Sequence, residues 1–587
     1  MSDAVPSKDS PTADDSSAST PPARNRSYAQ LVSAGFAIID REMQYLVGCF
    51  REVLESLGHD DLARHLDDLQ PVDDTDRLGE PRSLRMAQVD SIWFQLLNMV
   101  EESAAQQVRR LRESDLGPKA EAGLWGSVLA TLMQEGLSAE QIAGALPHVR
   151  IEPVLTAHPT EAKPATVIEQ HRSIFRLLEE LDDRTRTRSE QADHREQTKA
   201  ALERLWRTGE ILVQKPDLLA ERGNLLFYLR EVFPDAIDGH DRRLQRAWAG
   251  SGLPTELLSD PSAMPQVQFG FWAGGDRDGH PAVTHAVTAD TLAELRRSAV
   301  QVHARGLERL ARKLGLSSFV QEPDGALVRR LEELATLHPA TMREAERQHP
   351  NEPWRQLAVL MRAHLPRAKT IAAEPARVTA AVKDKSQVPP DDEGRDAAVR
   401  YYEDAGLLLS DVRLLRESLV KVGAIRLAEA DVDPMIRRVS SIGFHLAGLD
   451  VRQNSQYHDA ALSQLLVAAG VEDAATWADW SEERRLELLN RELQSPRPFA
   501  RFGRRIGQES DELLATYRVL ARHAEHHGTR GLGALIVSMT RQLSDLLTVY
   551  VFAREAGLAR FEVDESRGGG RLVGPLPVVP LFETVED

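Results

Sequence analysis

His158 stands in the stretch Val154-Leu155-Thr156-Ala157-His158-Pro159-Thr160-Glu161, which joins two patterned segments. Before it lies a largely apolar run, Ile151 to Leu155. After it Val167, His171, Ile174, Phe175, Leu178 and Leu181 recur at helical spacing. Imidazole is the side chain whose ordinary titration lies closest to neutral pH, so at a strand end it can take up or release a proton. Thr160 offers an N-cap, and Pro164 falls in the first helical turn, where a missing N–H costs little. The spacing predicts a short buried strand, a sharp turn and a helix. His158 would then lie just past the C-terminal end of the strand, where barrel and open α/β enzymes gather their chemistry. The plainer alternative is a histidine satisfied inside a strand–helix turn.

The same arrangement recurs along the chain. Val267, Phe269 and Phe271 alternate and run into Trp272-Ala273-Gly274-Gly275-Asp276-Arg277-Asp278-Gly279-His280. Gly274, Gly275 and Gly279 would let backbone approach a ligand closely. Asp276-Arg277-Asp278-Gly279 is not an EF-hand loop, because the third ligand and the closing glutamate are missing at the required spacing. Gly443 to Gln453 predicts a third strand, ending in Asp450, Arg452 and Gln453. Ala534 to Met539 predicts a fourth, ahead of a helix with Ser544 and Asp545, and Leu576 to Thr584 a fifth, ending near Glu583. Helical sequence separates all of these runs. Parallel strands with helical crossovers follow, and a barrel would deliver their ends to one rim. Eight strands close such a barrel, and an open arc would leave unpaired hydrophobic edges. The expected fold is therefore mainly α, with an incomplete TIM-type (β/α)8 barrel of about five strands inside a large helical shell.

Three regions are expected from composition. Residues 1–27, rich in Ser, Pro, Asp, Ala and Thr, read as a disordered tail. Residues 28–150 form an N-terminal helical region, with Val89, Ile92, Leu96 and Met99 on one stripe. Residues 151–587 hold the strands with helical insertions, and about 367–395, without clear periodicity, form a loop or insertion. A net charge of −18 argues against generic nucleic-acid binding. No apolar run approaches a membrane span, and the N-terminus lacks a signal pattern. The single cysteine, Cys49, excludes an intrachain disulfide and a Cys-rich zinc site, and fits a reducing, cytoplasmic setting.

Taken together, these motifs resemble the phosphoenolpyruvate carboxylase family. Thr156 to Glu161 is similar to its histidine signature, and Phe271 to Pro281 to its tryptophan-bearing glycine-rich loop. Leu449-Asp450-Val451-Arg452-Gln453, Val537-Ser538-Met539 with Ser544-Asp545, and Pro580-Leu581-Phe582-Glu583-Thr584 follow in the family's order. The resemblance implies a carboxy-lyase in a mainly helical protein built around an eight-stranded barrel, usually a homotetramer under allosteric control. It implies anaplerotic carbon dioxide fixation: phosphoenolpyruvate and bicarbonate give oxaloacetate and phosphate with Mg2+ or Mn2+.

Roles follow from residue type once that reaction is supposed. Arg452, planar and always charged, suits the phosphate, with a structural ion pair to Asp450 or a neighbour as its alternative. His158 would take the proton from the carboxyl of carboxyphosphate and release CO2 beside the enolate. Trp272 and Leu581 would form part of an apolar wall retaining CO2, or else pack as ordinary core. Glu583 is a hard oxygen ligand for Mg2+ or Mn2+. Arg277 joins the substrate-binding candidates, although pairing with Asp276 or holding the loop is the simpler role. The sequence departs from the family where Pro164 and Ala165 stand in place of paired arginines, and where Ala273 and His280 replace Met and Asn. The family's second half, with a further metal carboxylate, a lysine and an arginine–glycine loop, has no counterpart. A truncated or partial chain is expected; the alternatives are a non-catalytic association protein that retains the helical shell, or one piece of a split enzyme with a complementing C-terminal chain.

Overall fold

The computed structural model describes residues 26–66, 81–156, 165–181, 183, 185–208, 218–278, 280, 282–383, 401–499, 505–564 and 569–584. His158, its neighbours Thr160 and Pro164, and residues 1–25 of the expected tail lie outside them. The chain divides into two compact units. One comprises Met1–Gly136, Gln170–Arg207 and Ala247–Gly252; the other comprises Leu137–Glu169, Thr208–Arg246 and Leu253–Asp587.

The first unit is helical. Ser27 caps the helix Tyr28–Ser56 in a reciprocal arrangement with Gln30, which satisfies two end donors at once. This helix packs on Pro81–Leu116. Leu46, Cys49, Phe50 and Leu54 from one, and Val89, Ile92, Leu96 and Val100 from the other, are fully buried. The expected stripe is there, with Val100 rather than Met99 at its end. Burial pushes the Cys49 thiol up to about 11, so it is a packed apolar group and not a nucleophile.

The second unit contains the sheet. Five parallel strands lie side by side in chain order: β1 (Val154–Leu155), β2 (Gly270–Phe271), β3 (Gly448–Asn454), β4 (Leu532–Ser538) and β5 (Val578–Pro580). Below β1 and β2 the same segments pair again, Arg150 with Gln266 and Ile151 with Val267. Pro153 has no N–H to donate, and the ladder is interrupted there. β1 and β5 form the two edges of the sheet. Most strands run directly toward a helix: β2 precedes α1 (His285–Lys313), β3 precedes α2 (Ser455–Ala468) and β4 precedes α3 (Leu543–Ala556). Phe271, Leu449, Val451, Leu535 and Val537 from the strands join Leu465, Leu520, Val551 and Phe552 from helices in one buried core. The fold is thus mostly helical around a five-stranded parallel sheet.

Two expectations need correcting. The first part of the loop expected over 367–395 is a helix, Ala368–Lys383, with Pro375 inside it. Alanine is the strongest helix former, Ile371 is buried, and the helix packs against α1, so tertiary contact outweighs the proline. The sequence reading also passed over an antiparallel hairpin, Arg560–Asp564 with Gly569–Val573, between β4 and β5. Its strands are short, and only the cross-strand partners Phe561 and Leu572 hint at the pairing.

Candidate active site

The C-terminal ends of β2, β3 and β5 bring Arg452 among carboxylates. Arg452 Nη2 donates to Asp278 Oδ2 at 2.9 Å and to Glu583 Oε1 at 2.6 Å, and Nη1 lies 3.8 Å from Asp276 Oδ2. Its side chain is 17% exposed. The guanidinium carbon lies 5.5 Å from the centre of the Trp272 ring. Arg452 is therefore ion-paired with Asp278 and Glu583, and Asp450, the neighbour considered from sequence, has other partners. Trp272, Arg452 and Glu583, proposed separately from three strands, are brought together.

The glycine loop is held by the sheet. Beyond β2, Arg277 N–H donates to the Arg452 carbonyl at 3.0 Å, and Arg452 N–H donates to the Gly275 carbonyl at 3.1 Å, which extends the ladder past the strand. Gly275 is a glycine because a Cβ there would lie 1.9 Å from the Asp450 carbonyl oxygen. Gly274, at φ +87°, would place a Cβ 2.2 Å from Thr291 Oγ1. These two glycines admit neighbouring parts of the same chain; Gly279 lies outside the described residues.

Arg277 turns inward. Its guanidinium is buried and donates to the Gly275 carbonyl, Thr288 Oγ1 and Thr516 Oγ1 at 3.1, 2.7 and 3.0 Å. Burial pushes it down to about 10, against the pull of Glu512. Those contacts hold the loop against α1. Leu581 continues β5, donating its N–H to the Val537 carbonyl at 2.9 Å while its own carbonyl accepts from Thr540 at 3.2 Å. It is half-buried, and Phe582 beside it is exposed.

Sequence reasoning passed over two charged residues near the strand ends. Asp278 was seen only as loop charge, yet it meets Arg452, and Asn454 Nδ2 approaches its other oxygen at 3.4 Å. Arg541, just past β4, donates to Asp459 at 2.8 Å and to Asp545 at 3.0 Å. Its place three residues beyond Ser538 was the available signal.

One guanidinium thus faces Asp276, Asp278 and Glu583, while buried Arg277 is balanced by Glu512. A divalent cation of the Mg2+ type takes one or two carboxylates and completes its shell with substrate oxygens and water. Among the described residues no three His, Cys, Asp or Glu side chains stand close enough to hold a metal ion by themselves. A metal held here would need oxygens from a ligand as well.

Parallel strands that feed helices, with charge collected past their C-terminal ends, place the chain in the α/β architecture of enzymes whose sites lie at strand ends. The chain belongs to the phosphoenolpyruvate carboxylase family, whose sequence profile it matches over residues 46–587. It is 32% identical over 500 residues to the phosphoenolpyruvate carboxylase of Roseiflexus castenholzii, covering 84% of this chain and 50% of that protein. It is 32% identical over 518 residues to that of Methylorubrum extorquens, covering 86% and 51%. For Gloeobacter violaceus the identity is 31% over 560 residues, covering 92% and 55%. The chain therefore spans about half the length of these curated relatives. Among the described residues no helix is long and apolar enough to cross a membrane.

Proposed function

We propose that this chain carries the phosphoenolpyruvate-binding part of a phosphoenolpyruvate carboxylase, an enzyme joining bicarbonate to phosphoenolpyruvate to give oxaloacetate and phosphate. The observation that carries this reading is Arg452, held between Asp278 and Glu583 at the strand ends and still partly exposed. Phosphoryl transfer asks a protein for positioned positive charge more than for covalent chemistry. The planar guanidinium of Arg452 can donate to phosphate oxygens while the carboxylates keep it in place.

Glu583 and Asp278 would hold Mg2+ or Mn2+, which supplies charge neutralisation at the phosphate and enolate oxygens. Trp272 and Leu581 would shield the site from water, so that CO2 meets the enolate before it escapes. His158 would accept the carboxyl proton of carboxyphosphate; that role rests on the family motif. Arg277 serves as a positioning residue that fixes the loop carrying Asp276 and Asp278. On this reading β1 and β5 are the edges that further strands would join to close an eight-stranded barrel. A complementing C-terminal half, homotetrameric assembly, allosteric control and a cytoplasmic setting belong to the same proposal.

The test is incorporation of labelled bicarbonate into acid-stable product, dependent on phosphoenolpyruvate and Mg2+, by the chain alone and mixed with the C-terminal half of a relative. Incorporation in either preparation, abolished by Arg452→Ala, is the expected result. Absence from both, with the two halves shown to associate, would overturn the reading.

A further inference from the structure

Asp450 precedes Arg452 by two residues on β3, so the two side chains leave the same face of the sheet. Its carboxylate is half-buried and used twice. Oδ2 accepts the indole N–H of Trp272 at 2.9 Å, and Oδ1 accepts the backbone N–H of Ala534 at 2.7 Å. The second bond has a definite origin. Leu449 pairs with Leu532, but Val451 pairs with Leu535, so β4 spends an extra residue opposite Asp450. Such a bulge takes an N–H out of the ladder, and Asp450 satisfies it. The neighbours leave room for this one side chain. A Cβ on Gly533 would lie 2.0 Å from Asp450 Oδ1. Trp272 is therefore pinned at its N–H end, with its ring 5.5 Å from the Arg452 guanidinium carbon.

We propose that Asp450 is a positioning residue whose carboxylate fixes the indole of Trp272 and, through the ring, the guanidinium of Arg452. Its consequence for substrate rests on the proposed role of Arg452; its hold on Trp272 does not. The residue type follows from hydrogen-bond arithmetic. The two N–H donors approach different oxygens, and a carboxylate accepts at both. An asparagine amide has one oxygen, and its NH2 would face a second donor. Glutamate would force a further methylene into space closed by Gly533.

The experiment uses the full chain labelled with 5-fluorotryptophan and followed by fluorine NMR, the Trp272 line being identified by its loss in Trp272→Phe. In the unliganded protein Asp450→Asn moves and broadens that line. Arg452→Lys moves it in the native background and much less in Asp450→Asn. Phosphoenolpyruvate with Mg2+ also moves the native line, and Asp450→Asn raises the midpoint about tenfold, an effect of one lost hydrogen bond. Trp272→Phe, which leaves the Ala534 bond intact, raises the calorimetric Kd for phosphoenolpyruvate by a similar factor, and the double variant adds little more. A Trp272 line indifferent to Asp450→Asn, or equal responses to Arg452→Lys in both backgrounds, would overturn the proposal and leave Asp450 as a bulge cap only. Should Asp450→Asn fail to fold, unaltered phosphoenolpyruvate binding by Trp272→Phe would overturn it as well. If phosphoenolpyruvate moves nothing in the native chain, the reading of Arg452 as a phosphate ligand fails, and the unliganded responses still decide the role of Asp450.

Discussion

Replacing Arg452 with lysine keeps the charge and removes the fork, so it separates geometry from electrostatics. Arg452 Nη2 serves Asp278 and Glu583 together, at 2.9 and 2.6 Å, while Nη1 is 3.8 Å from Asp276, too far for a hydrogen bond. That nitrogen is what a phosphate would meet. A lysine ammonium, a compact point charge on a flexible stem, can satisfy one carboxylate or the ligand but cannot present a rigid second donor. The loss is one charge-assisted hydrogen bond to substrate, about 1.5–3 kcal/mol, or roughly ten- to hundred-fold in phosphoenolpyruvate binding. Folding stability should fall by no more than about 1 kcal/mol, because the partly exposed charge pairing persists. Steady-state kinetics in a preparation competent for carboxylation, with urea unfolding of the same protein, measures both numbers. A KM and kcat equal to those of the native protein, with a large fall in stability, would refute the reasoning and make Arg452 a structural ion-pair residue.

Other outcomes follow from the same geometry. His158→Asn should depress oxaloacetate formation far more than phosphate release from phosphoenolpyruvate, read by assaying both products; equal retention of both would remove His158 from the mechanism. Gly275→Ala should destabilise the chain by about 1–3 kcal/mol in urea unfolding, because its Cβ would meet the Asp450 carbonyl at 1.9 Å and backbone must move. Burial pushes the Glu512 carboxyl up, but the side-chain and backbone donors of His285 outweigh it and leave the group lowered. A lowered carboxyl contributes stability that is present above the ordinary carboxylate range and is lost as pH falls through the folded value. Glu512→Gln should therefore lower stability near neutrality and flatten the acid limb of a stability–pH curve, the two proteins converging at low pH. Cys49 should resist a thiol reagent in native protein and react on unfolding, because its thiol is buried and pushed up to about 11.

Much of the sheet was legible because a buried parallel strand writes itself as a short apolar run, and a strand end as a cluster of polar residues. All five runs are strands, in one sheet and in chain order. Their bounds were less legible. Gly443 to Ala447 reads as strand by composition, yet Gly443 at φ +53° and Leu446 at φ +66° turn the chain before β3 begins at Gly448. Alanine-rich sequence around Pro375 concealed a helix because its periodicity is carried by a few residues such as Ile371. At the site, Arg452 and Glu583 could be read from type and position alone. Their pairing could not, since it depends on how far β5 and the glycine loop extend beyond the strands. Asp450 was visible as an acid beside an arginine, but its partners come from a bulge on another strand, which leaves no periodic trace.

The long helical segment between β2 and β3 bears on how the chain folds. β3 is the central strand, and its partner β2 is separated from it by α1 and the helices from Gly325 through Ile442. At equilibrium this separation costs little, roughly 0.6 kcal/mol for each doubling of loop length. Kinetically it is heavier, because distant parallel strands must meet before their hydrogen bonds reward them. β3, β4 and β5 lie closer in sequence and share the deeper register, from Leu449–Leu532 to Val537–Pro580. On sequence separation alone they would assemble first, with β2 docking afterwards. Since the Gly274–Gly275 turn completes its ladder only against Arg452 of β3, this arginine would acquire its loop late, on an already assembled strand.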